Sequence, residues 1–508
     1  MSSFLPELST PSPTSSDASP CIESPSSSPT PSPCRRIHEG EDATPTLCPQ
    51  RTSSTSTSSP HLDLPLWHKC LVVLVASFTT LSVTFASTSL FPLAAEIAAS
   101  LGTTEASVAV VNALVLFTMG CSGFVWGPVG RQFGRKNAWL AASAVFLACT
   151  VGTGLSPSAG SKATAFRVFV ATRILSGVQG TFFHVAGQTW LADIFVPTQR
   201  GTATGFFLVG TIFGPAFGPC ISGIMTTFTH WQSMLWLQTA MIGVGMILSV
   251  IFLPDIRTEQ DTHTHGFKQK FVAFLKDTNP SKVFQVMFLP NVFLTDLSCG
   301  LLSWCQYTLL AAPRHLLNPR FGLTTPLVSG LFYIAPGVGF LLGTVVGGRF
   351  SDMTVKKWIK TRDGLRLPQD RLHSGIISFF FITPVSSLLY GWGLQYDVGG
   401  LALPIVTAFF CAAGLLMAFA SVNAYCAEVL PKRRTEVIAS KYLIQYTFAA
   451  AGSAAMVPLI DAIGIGPAST IGVAFVLLAG VLTLTTAKFG LQMQRSVEKR
   501  GRFYGTPK

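Results

Sequence analysis

The chain has 508 residues, of which 49% are hydrophobic and 11% are charged. Soluble globular proteins carry about 25% charged residues, so this chain cannot present a charged surface to water over its whole area. The composition excludes an ordinary soluble protein and favours one embedded in a bilayer. The net charge of +12 does not indicate nucleic-acid binding, because the basic residues lie in short loops and terminal segments.

The first sixty residues differ in composition from the rest of the chain. Serine, threonine and proline make up 36 of these 60 residues, and large apolar side chains are few. Such a segment cannot bury enough apolar surface to fold. We therefore expect residues 1–65 to form a disordered cytoplasmic tail. The first apolar run begins near Leu66 and is too long for a cleavable signal peptide.

Twelve apolar runs of about 20 residues follow this tail, and each is long enough to cross a bilayer as a helix. Runs such as Leu71–Phe91 and Ile471–Ala487 have almost no polar face, which a surface helix of a soluble protein needs. The sequence predicts an all-α polytopic membrane protein with two six-helix halves, 66–253 and 285–490. The predicted spans are 70–92, 107–126, 137–157, 168–192, 202–224, 231–253, 285–311, 326–348, 375–393, 400–426, 436–459 and 467–487.

Lys and Arg are distributed unequally between the two sides of this predicted bundle. The five connecting segments on one side hold 19 of them, whereas the six alternate segments hold four. Multi-pass proteins carry their excess of Lys and Arg in cytoplasmic loops, so we expect this side and both termini to face the cytoplasm. The basic segments are 127–136, 193–201, the central loop 254–284, 349–374 and 427–435, together with the C-terminal tail 491–508.

Two segments that lie 221 residues apart repeat one pattern, Gly127–Lys136 and Gly348–Lys357. Each has a glycine, a charged residue four positions later, and a basic pair four and five positions after that. The fourth and tenth spans also end alike, since Asp193 and Glu428 each precede a proline and a basic segment. These repeats indicate that the halves are related by duplication. Because each copy follows an apolar run, we expect each to form a polar break between helices.

Several motifs resemble those of a known transporter family. The segment Trp126–Lys136 resembles the loop 2–3 signature of the major facilitator superfamily, and Arg173–Gly180 resembles its fourth-span motif. Gly205–Pro219 resembles the fifth-span antiporter motif, which is typical of twelve-span drug:proton antiporters. Trp231–Trp236 and Pro368–Leu372 resemble the fungal branch. The resemblance covers about residues 65–490 and implies the major facilitator fold.

The resemblance also implies a cytoplasmic gate. In that family, the acid at the fifth position of the loop 2–3 motif is expected to pair with neighbouring cations when the cytoplasmic side is closed. Asp352 matches this acid in the second half, whereas Arg131 stands at the position in the first half. We predict that Asp193 pairs with Arg131; alternatively, Arg131 is a solvated cation. The candidate gate residues are Gly127, Arg131, Gly134, Arg135, Asp193, Arg200, Gly348 and Asp352.

Glycines recur every four residues in two of the spans, which leaves one face of each helix bare and open to close approach by another helix. We predict that the two bare faces meet, one from each half; alternatively, each packs within its own half. Two prolines in the fifth span remove backbone donors and bend or stiffen it. The residues are Gly210, Gly214, Pro215, Gly218 and Pro219 in the fifth span, and Gly339, Gly343 and Gly347 in the eighth.

Three charged residues lie inside predicted spans, where each costs about 2.5–3.5 kcal/mol by insertion scales and usually faces a cavity or a partner. For Arg173 the family motif implies a part in proton coupling; alternatively, it is a structural cation bonded to backbone carbonyls. Asp296 lies about ten residues into its span, roughly 15 Å by helical rise. It is our leading protonation candidate; alternatively, it is a cap or ion-pair member. Lys441 shares a helix face with Gln445. We predict that Lys441 lines a cavity; alternatively, its side chain snorkels to the membrane interface.

Polar and aromatic side chains in the spans are candidates for a substrate cavity. His184 is a possible proton relay or, alternatively, a satisfied core histidine. The eleven cysteines contain no CxxC pair, so neither a disulfide framework nor a zinc site is predicted. We predict no metal and no cofactor. The cavity candidates are Lys441, Gln445, Tyr446, Tyr307, Asn423 and His184.

We expect a transporter that works by alternating access, with its substrate between the halves. The resemblance implies export of a small organic compound, such as an organic acid, secondary metabolite or drug-like toxin, driven by proton entry. Protonation of Asp296 is then coupled to substrate binding, with Arg173 tuning the acid. Two cavity cations against one acid favour anionic or neutral polar compounds.

The alternatives are a facilitator or importer on the same fold and, less favoured, a non-transporting membrane sensor. The sequence contains no nucleophile elbow, phosphate loop or metal-ligand cluster, so an enzyme is not predicted. The expected partners are the substrate, protons and the lipid bilayer, with no nucleic acid, and the chain is expected to be a monomer. We expect it in the plasma membrane, with the vacuolar or another internal membrane as the alternative.

Overall fold

The computed structural model describes residues 64–195, 197–255, 281–311, 313–322, 330–364, 366–430 and 433–499. The predictions for the tail at 1–63, for most of the central loop and for residues 500–508 lie outside the described residues. Below, the first half means the described residues of 64–255, and the second half means those of 281–499.

Helices with short turns between them form the first half. Gly102 ends one helix at φ +66°, and Gly134 separates two others at φ +86°, a left-handed backbone conformation that favours glycine. Thr104 and Ser161 accept backbone N–H bonds as N-caps. The helices are α1 (Leu66–Thr88), α2 (Ala94–Leu101), α3 (Glu105–Phe133), α4 (Arg135–Leu155), α5 (Lys162–Gly177), α6 (Gly180–Ile194), α7 (Pro197–Phe228) and α8 (Gln232–Phe252).

The second half is also helical. A 3₁₀ segment, Pro368–Gly375, and a π-helical turn, Ser378–Ile382, lead into one of its helices. The last helix runs to Lys499, so the predicted tail 491–508 begins within a helix. The helices are α9 (Ser281–Met287), α10 (Pro290–Ala311), α11 (Pro313–Phe321), α12 (Ile334–Thr361), α13 (Thr383–Gln395), α14 (Ala402–Glu428), α15 (Arg434–Ile463) and α16 (Ile465–Lys499).

Ten segments of the described chain are long and apolar enough to cross a bilayer, which makes this a multi-pass membrane protein. An eleventh is present if α9 and α10, which meet at 91°, are counted as one bent span. The remaining predicted span, 168–192, is divided into α5 and α6. Glycines flank this break, and a Cβ on Gly177 would lie 2.6 Å from the carbonyl oxygen of Val115 in α3. The break therefore lies where α3 packs closely against the fourth span.

The repeated motif is helical over most of its length, so the expected break between helices is reduced to one residue in the first copy and is wrong for the second. In the first copy only Gly134 interrupts the helix. In the second copy Val355 stands at the matching position, and α12 continues through the charged residues to Thr361. Asp363 and Gly364, both at positive φ, follow the end of α12. Lys and Arg are good helix formers, so charge alone does not end a helix.

The two halves contact each other mainly through two pairs of helices. α3 packs on α15, and α7 packs on α12. One continuous apolar cluster includes Phe91, Leu116 and Met119 from the first half and Tyr307 and Tyr446 from the second. The interface between the halves is therefore packed in this structure, and the residues along it are candidates for the transport pathway.

The bare glycine faces do not meet across the halves, so that prediction was wrong and its alternative holds. A Cβ on Gly214 would lie 2.5 Å from the backbone nitrogen of Phe85 in α1. In the second half, a Cβ on Gly347 would lie 2.8 Å from the Cα of Met417 in α14. Each face thus lets two helices of the same half approach closely. The contact between α7 and α12 instead uses Gly337, which lies two residues before Gly339 and therefore on the opposite side of α12, beside the carbonyl oxygen of Ala216.

Replacing Gly214 by Ala is expected to destabilise the protein by about 1–3 kcal/mol, because the new methyl group would overlap the α1 backbone. Gly205→Ala in the same helix is the matched control, since a Cβ there meets nothing within 4 Å. That variant should be as stable as the wild type or slightly more so, because alanine is the better helix former. Thermal unfolding in detergent measures both. Equal melting temperatures for the two variants would contradict the close contact.

Candidate functional site

Asp296 is completely buried in α10. Its Oδ2 accepts a hydrogen bond of 2.7 Å from the Ser440 hydroxyl of α15, and its Oδ1 has no hydrogen-bond partner among the described residues. Asp296 lies six residues after Pro290, about 9 Å along the helix axis by helical rise. The depth of 15 Å expected from the sequence was too large, because α9 bends away by 91° and does not extend α10.

Lys441 follows Ser440 in α15 and is also buried. Its Nζ donates a hydrogen bond of 3.0 Å to Asn423 Oδ1 in α14 and lies 3.8 Å from the centre of the Tyr442 ring, a cation–π contact. Its charge also acts on Asp296. The lysine is therefore buried against α14, whereas its acceptor Asn423 is exposed, so its placement in a cavity or towards the interface stays a prediction. Below, the acid–lysine cluster means Asp296, Asn423, Ser440, Lys441 and Tyr442.

His184 links this cluster to the first half. It is buried in α6, its Nδ1 lies 3.2 Å from the carbonyl oxygen of Gly180, and its ring centre lies 5.7 Å from that of Tyr442. The histidine is thus satisfied by its own helix, as the core alternative states, and it also contacts the other half. Any movement of the two halves against each other must change the packing at this contact.

Aromatic rings continue from the acid–lysine cluster along the interface between the halves. The ring centres of Tyr442 and Tyr446 lie 6.0 Å apart, those of Tyr446 and Tyr307 lie 6.4 Å apart, and those of Tyr307 and Phe91 lie 6.3 Å apart. Beside them, the buried Oε1 of Gln445 has no hydrogen-bond partner among the described residues. The predicted cavity residues Tyr307 and Tyr446 therefore lie together on this interface, and Gln445 precedes Tyr446 in α15. We call the four rings the aromatic row.

Arg173 is held within the first half, away from the acid–lysine cluster. Its guanidinium donates to the carbonyl oxygen of Ala86 at 3.3 and 3.4 Å and to Asn112 Oδ1 at 3.5 Å. Ala86 lies two residues before the end of α1. These contacts match the structural alternative for Arg173. They do not support the prediction that Arg173 tunes Asp296. The buried charges near the acid are therefore one lysine and one carboxylate.

Ion pairs connect helix ends on the basic side of both halves. In the first half, Arg135 at the start of α4 pairs with Asp193 at the end of α6. In the second half, Arg371 pairs with Glu428 at the end of α14 at 2.9 Å. The halves therefore repeat an arginine–acid pair between equivalent elements. The observed partner of Asp193 is Arg135, whereas the side chains of Arg131 and Arg200 lie outside the described part, so their gate roles stay predictions.

The acid of the repeated motif makes a weaker contact than this shared pair. Asp352 bonds to Arg371 at 3.0 Å, but its side chain is 64% exposed. Glu428 is only 25% exposed and accepts from both Arg371 and Arg366. Exposed ion pairs contribute about 0–1 kcal/mol, so Glu428 should contribute more than Asp352. The sign change from Asp352 to Arg131 therefore falls at a motif position whose acid is largely exposed in the second half.

Sequence reasoning missed Ser440, Arg371 and Glu428 as site residues. A signal for Glu428 was present, since it occupies the same place as Asp193 in the repeat. A signal for Arg371 was also present in the segment Pro368–Leu372. No pattern in the sequence pairs Ser440 with Asp296, because the two residues lie 144 positions apart on different helices.

Comparison with known proteins agrees with this architecture. The model of the family described as Major Facilitator Superfamily matches residues 76–456. The chain belongs to the major facilitator superfamily. It is therefore a membrane transporter by family, a class without enzymatic activity, and its helices carry the fold of that superfamily.

Fungal transporters are among the relatives of this superfamily member. It is 21% identical to the MFS antiporter QDR3 of Candida albicans, over 87% of this chain and 79% of that protein. It is 24% identical to the efflux pump FUB11 of Gibberella moniliformis, over 89% and 78%. It is 23% identical to the efflux pump radE of Floropilus chiversii, over 78% and 75%. The chain thus resembles fungal antiporters and efflux pumps.

Solved structures show the same fold. The partially occluded, inward-open xylose transporter XylE of E. coli superposes with a TM-score of 0.60 at 15% identity, covering 84% of this chain and 98% of that one. A D-xylose-proton symporter superposes with a TM-score of 0.62 at 15% identity, covering 82% and 97%. At this identity the likeness concerns the fold alone.

Replacing Glu428 by Gln is expected to lower stability by about 1 kcal/mol, because the two arginines lose a charged acceptor. Asp352→Asn removes the same charge from a more exposed position and is the matched control. Its effect should be within about 0.5 kcal/mol of zero. Thermal unfolding in detergent at low salt measures both. A larger loss for Asp352→Asn than for Glu428→Gln would contradict the ranking of the two contacts.

Proposed function

We propose that this transporter exports a small organic compound in exchange for protons, and that Asp296 carries the proton. The observation that supports this most is a fully buried carboxylate with one oxygen on Ser440 and the other oxygen unpartnered within the described structure. An ionised carboxylate in such a place is costly unless it is paired. Uptake of a proton removes that cost, so the acid has a physical reason to exchange protons as its surroundings change.

The position of the acid supports coupling to the transport movement. Asp296 is bonded to α15, and α15 packs on α3 of the other half. The next residues of α15 hold Tyr442 against His184 of α6. Alternating access requires the halves to repack along this interface. A change in the charge of Asp296 can therefore shift the balance between the two arrangements, provided that they differ in how well they stabilise the carboxylate.

The chemistry of the interface supports a broad class of substrates that includes organic acids, secondary metabolites and drug-like toxins. With Arg173 bonded elsewhere, one acid faces one lysine, and the earlier preference for anions is no longer supported. The aromatic row offers flat apolar surface to a ring-bearing compound. The free oxygen of Gln445 offers an acceptor for a hydroxyl or amine group.

We also propose that the chain works as a monomer in the plasma membrane, with its basic side and termini in the cytoplasm. Both halves that form the interface come from one chain, which supports the monomer. The Lys and Arg distribution supports the orientation. The printed names of the fungal relatives, which include efflux pumps and an antiporter, support export.

Deleting the gene and profiling metabolites in cells and medium tests the direction and names the substrate. A compound that accumulates in cells and disappears from the medium is expected. Wild-type protein and Asp296→Glu should restore its export, the latter in part, because both keep a carboxylic acid. Asp296→Asn should restore at most a few per cent, although equal amounts of protein reach the membrane.

Two results would overturn the proposal. Full export by Asp296→Asn would remove Asp296 as the proton carrier. A compound that instead accumulates in the medium of the deletion strain and is depleted in its cells would identify an importer. Dissipating the proton gradient in wild-type cells is the control, and it should reduce export to the level of the Asp296→Asn strain.

A further inference from the structure

Lys441 is a buried cation that the proposed exchange does not use. Its ammonium contacts only neutral groups in the described structure, the Asn423 amide oxygen at 3.0 Å and the Tyr442 ring at 3.8 Å. Nearby, Asp296 Oδ1 has no hydrogen-bond partner. Two opposite charges thus lie in one cluster, and each is held by neutral neighbours. Buried charges are normally paired, so this arrangement points to a second arrangement in which they meet.

We propose that the substrate-free transporter also carries protons alone, because Lys441 acts as an internal counter-ion for Asp296. This further activity rests on the proposed function, since it requires Asp296 to be the proton carrier. The lysine neutralises the carboxylate while the empty transporter returns.

The physical reason is the cost of an unpaired carboxylate. In a strict exchanger, an empty and deprotonated acid has no partner, and the several kcal/mol needed to bury it alone keep the empty transporter from repacking. Lys441 carries a compact charge on a flexible four-carbon stem. Its neighbour Ser440 contacts Asp296 at 2.7 Å, and the proposal requires the ammonium to leave Asn423 and reach the unpartnered Oδ1.

Other titratable groups near the acid do not supply this charge. Cys299 of α10 and Cys426 and Tyr425 of α14 act on Asp296 or are acted on by it, and none of them becomes positive. His184 of α6 faces the cluster through the Tyr442 ring and is bonded to its own helix. Lys441 is the cation whose charge acts directly on the acid.

The cycle moves one proton and leaves every residue unchanged. Asp296 takes up a proton from the acidic side, and the transporter reorients with the neutral acid while Lys441 remains on Asn423 and Tyr442. The proton then leaves to the other side, and the ammonium pairs with the carboxylate for the return. Lys441 keeps its own proton throughout. A pH gradient drives the flux, and no organic substrate takes part.

The test uses the full chain in liposomes that contain the pH dye pyranine, with no organic substrate and with the membrane potential clamped by potassium and valinomycin. After the outside is acidified, the wild type should acidify the interior faster than Asp296→Asn. Lys441→Met should slow this flux roughly tenfold or more, as expected when a buried charge loses its partner. Lys441→Arg keeps a cation and should retain much of the flux.

Asn423→Ala is expected to change the proton flux in the opposite direction from Lys441→Met. It removes the competing acceptor for the ammonium, so the proton flux should rise above that of the wild type, which a folding defect cannot produce. An Asp296-dependent flux that stays the same in Lys441→Met would overturn the role of Lys441, as would a lower flux in Asn423→Ala. Equal flux in the wild type and Asp296→Asn would overturn the substrate-free proton flux but not the proposed exchange, because a strict exchanger gives the same result when no substrate is present. The proposed exchange fails instead if Asp296→Asn exports the substrate fully.

Discussion

The bond between Asp296 and Ser440 joins the acid of α10 to α15, the helix of the second half that packs on α3 of the first. A carboxylate buried at this place must be protonated, paired or bound to a ligand, because the surrounding helices offer little other stabilisation. The charge on one side chain is thereby tied to how the halves pack. The proposals for proton exchange, for substrate binding and for the role of Lys441 all depend on this constraint.

The two halves are alike at their basic ends and different in their interiors. Arg135–Asp193 and Arg371–Glu428 connect equivalent helix ends, as expected of a duplicated chain. In the membrane-spanning part of the first half, buried Arg173 donates to a backbone carbonyl oxygen. The second half instead buries Asp296 and Lys441. This division is consistent with a structural first half at that level and a second half that responds to protons.

The sequence allowed the spans, the repeat and the family to be predicted, because length, apolar character and motif spacing are local properties. The α5–α6 break could not be predicted, since it depends on how closely α3 approaches Gly177. The bend before α10 was missed for a similar reason, and it changed the depth assigned to Asp296. The partners of the glycine faces and of Arg173 were uncertain, because a helical pattern shows which side of a helix a residue occupies. It does not show which neighbouring helix packs against that side.

The central claim is that Asp296 gains and loses a proton within the folded protein. Difference infrared spectroscopy of the purified protein, titrated with pH and compared with Asp296→Asn, tests this most directly. We predict a carbonyl band of a protonated carboxylic acid that disappears as the pH rises and is absent from Asp296→Asn. Identical pH-dependent spectra for the two proteins would contradict the account.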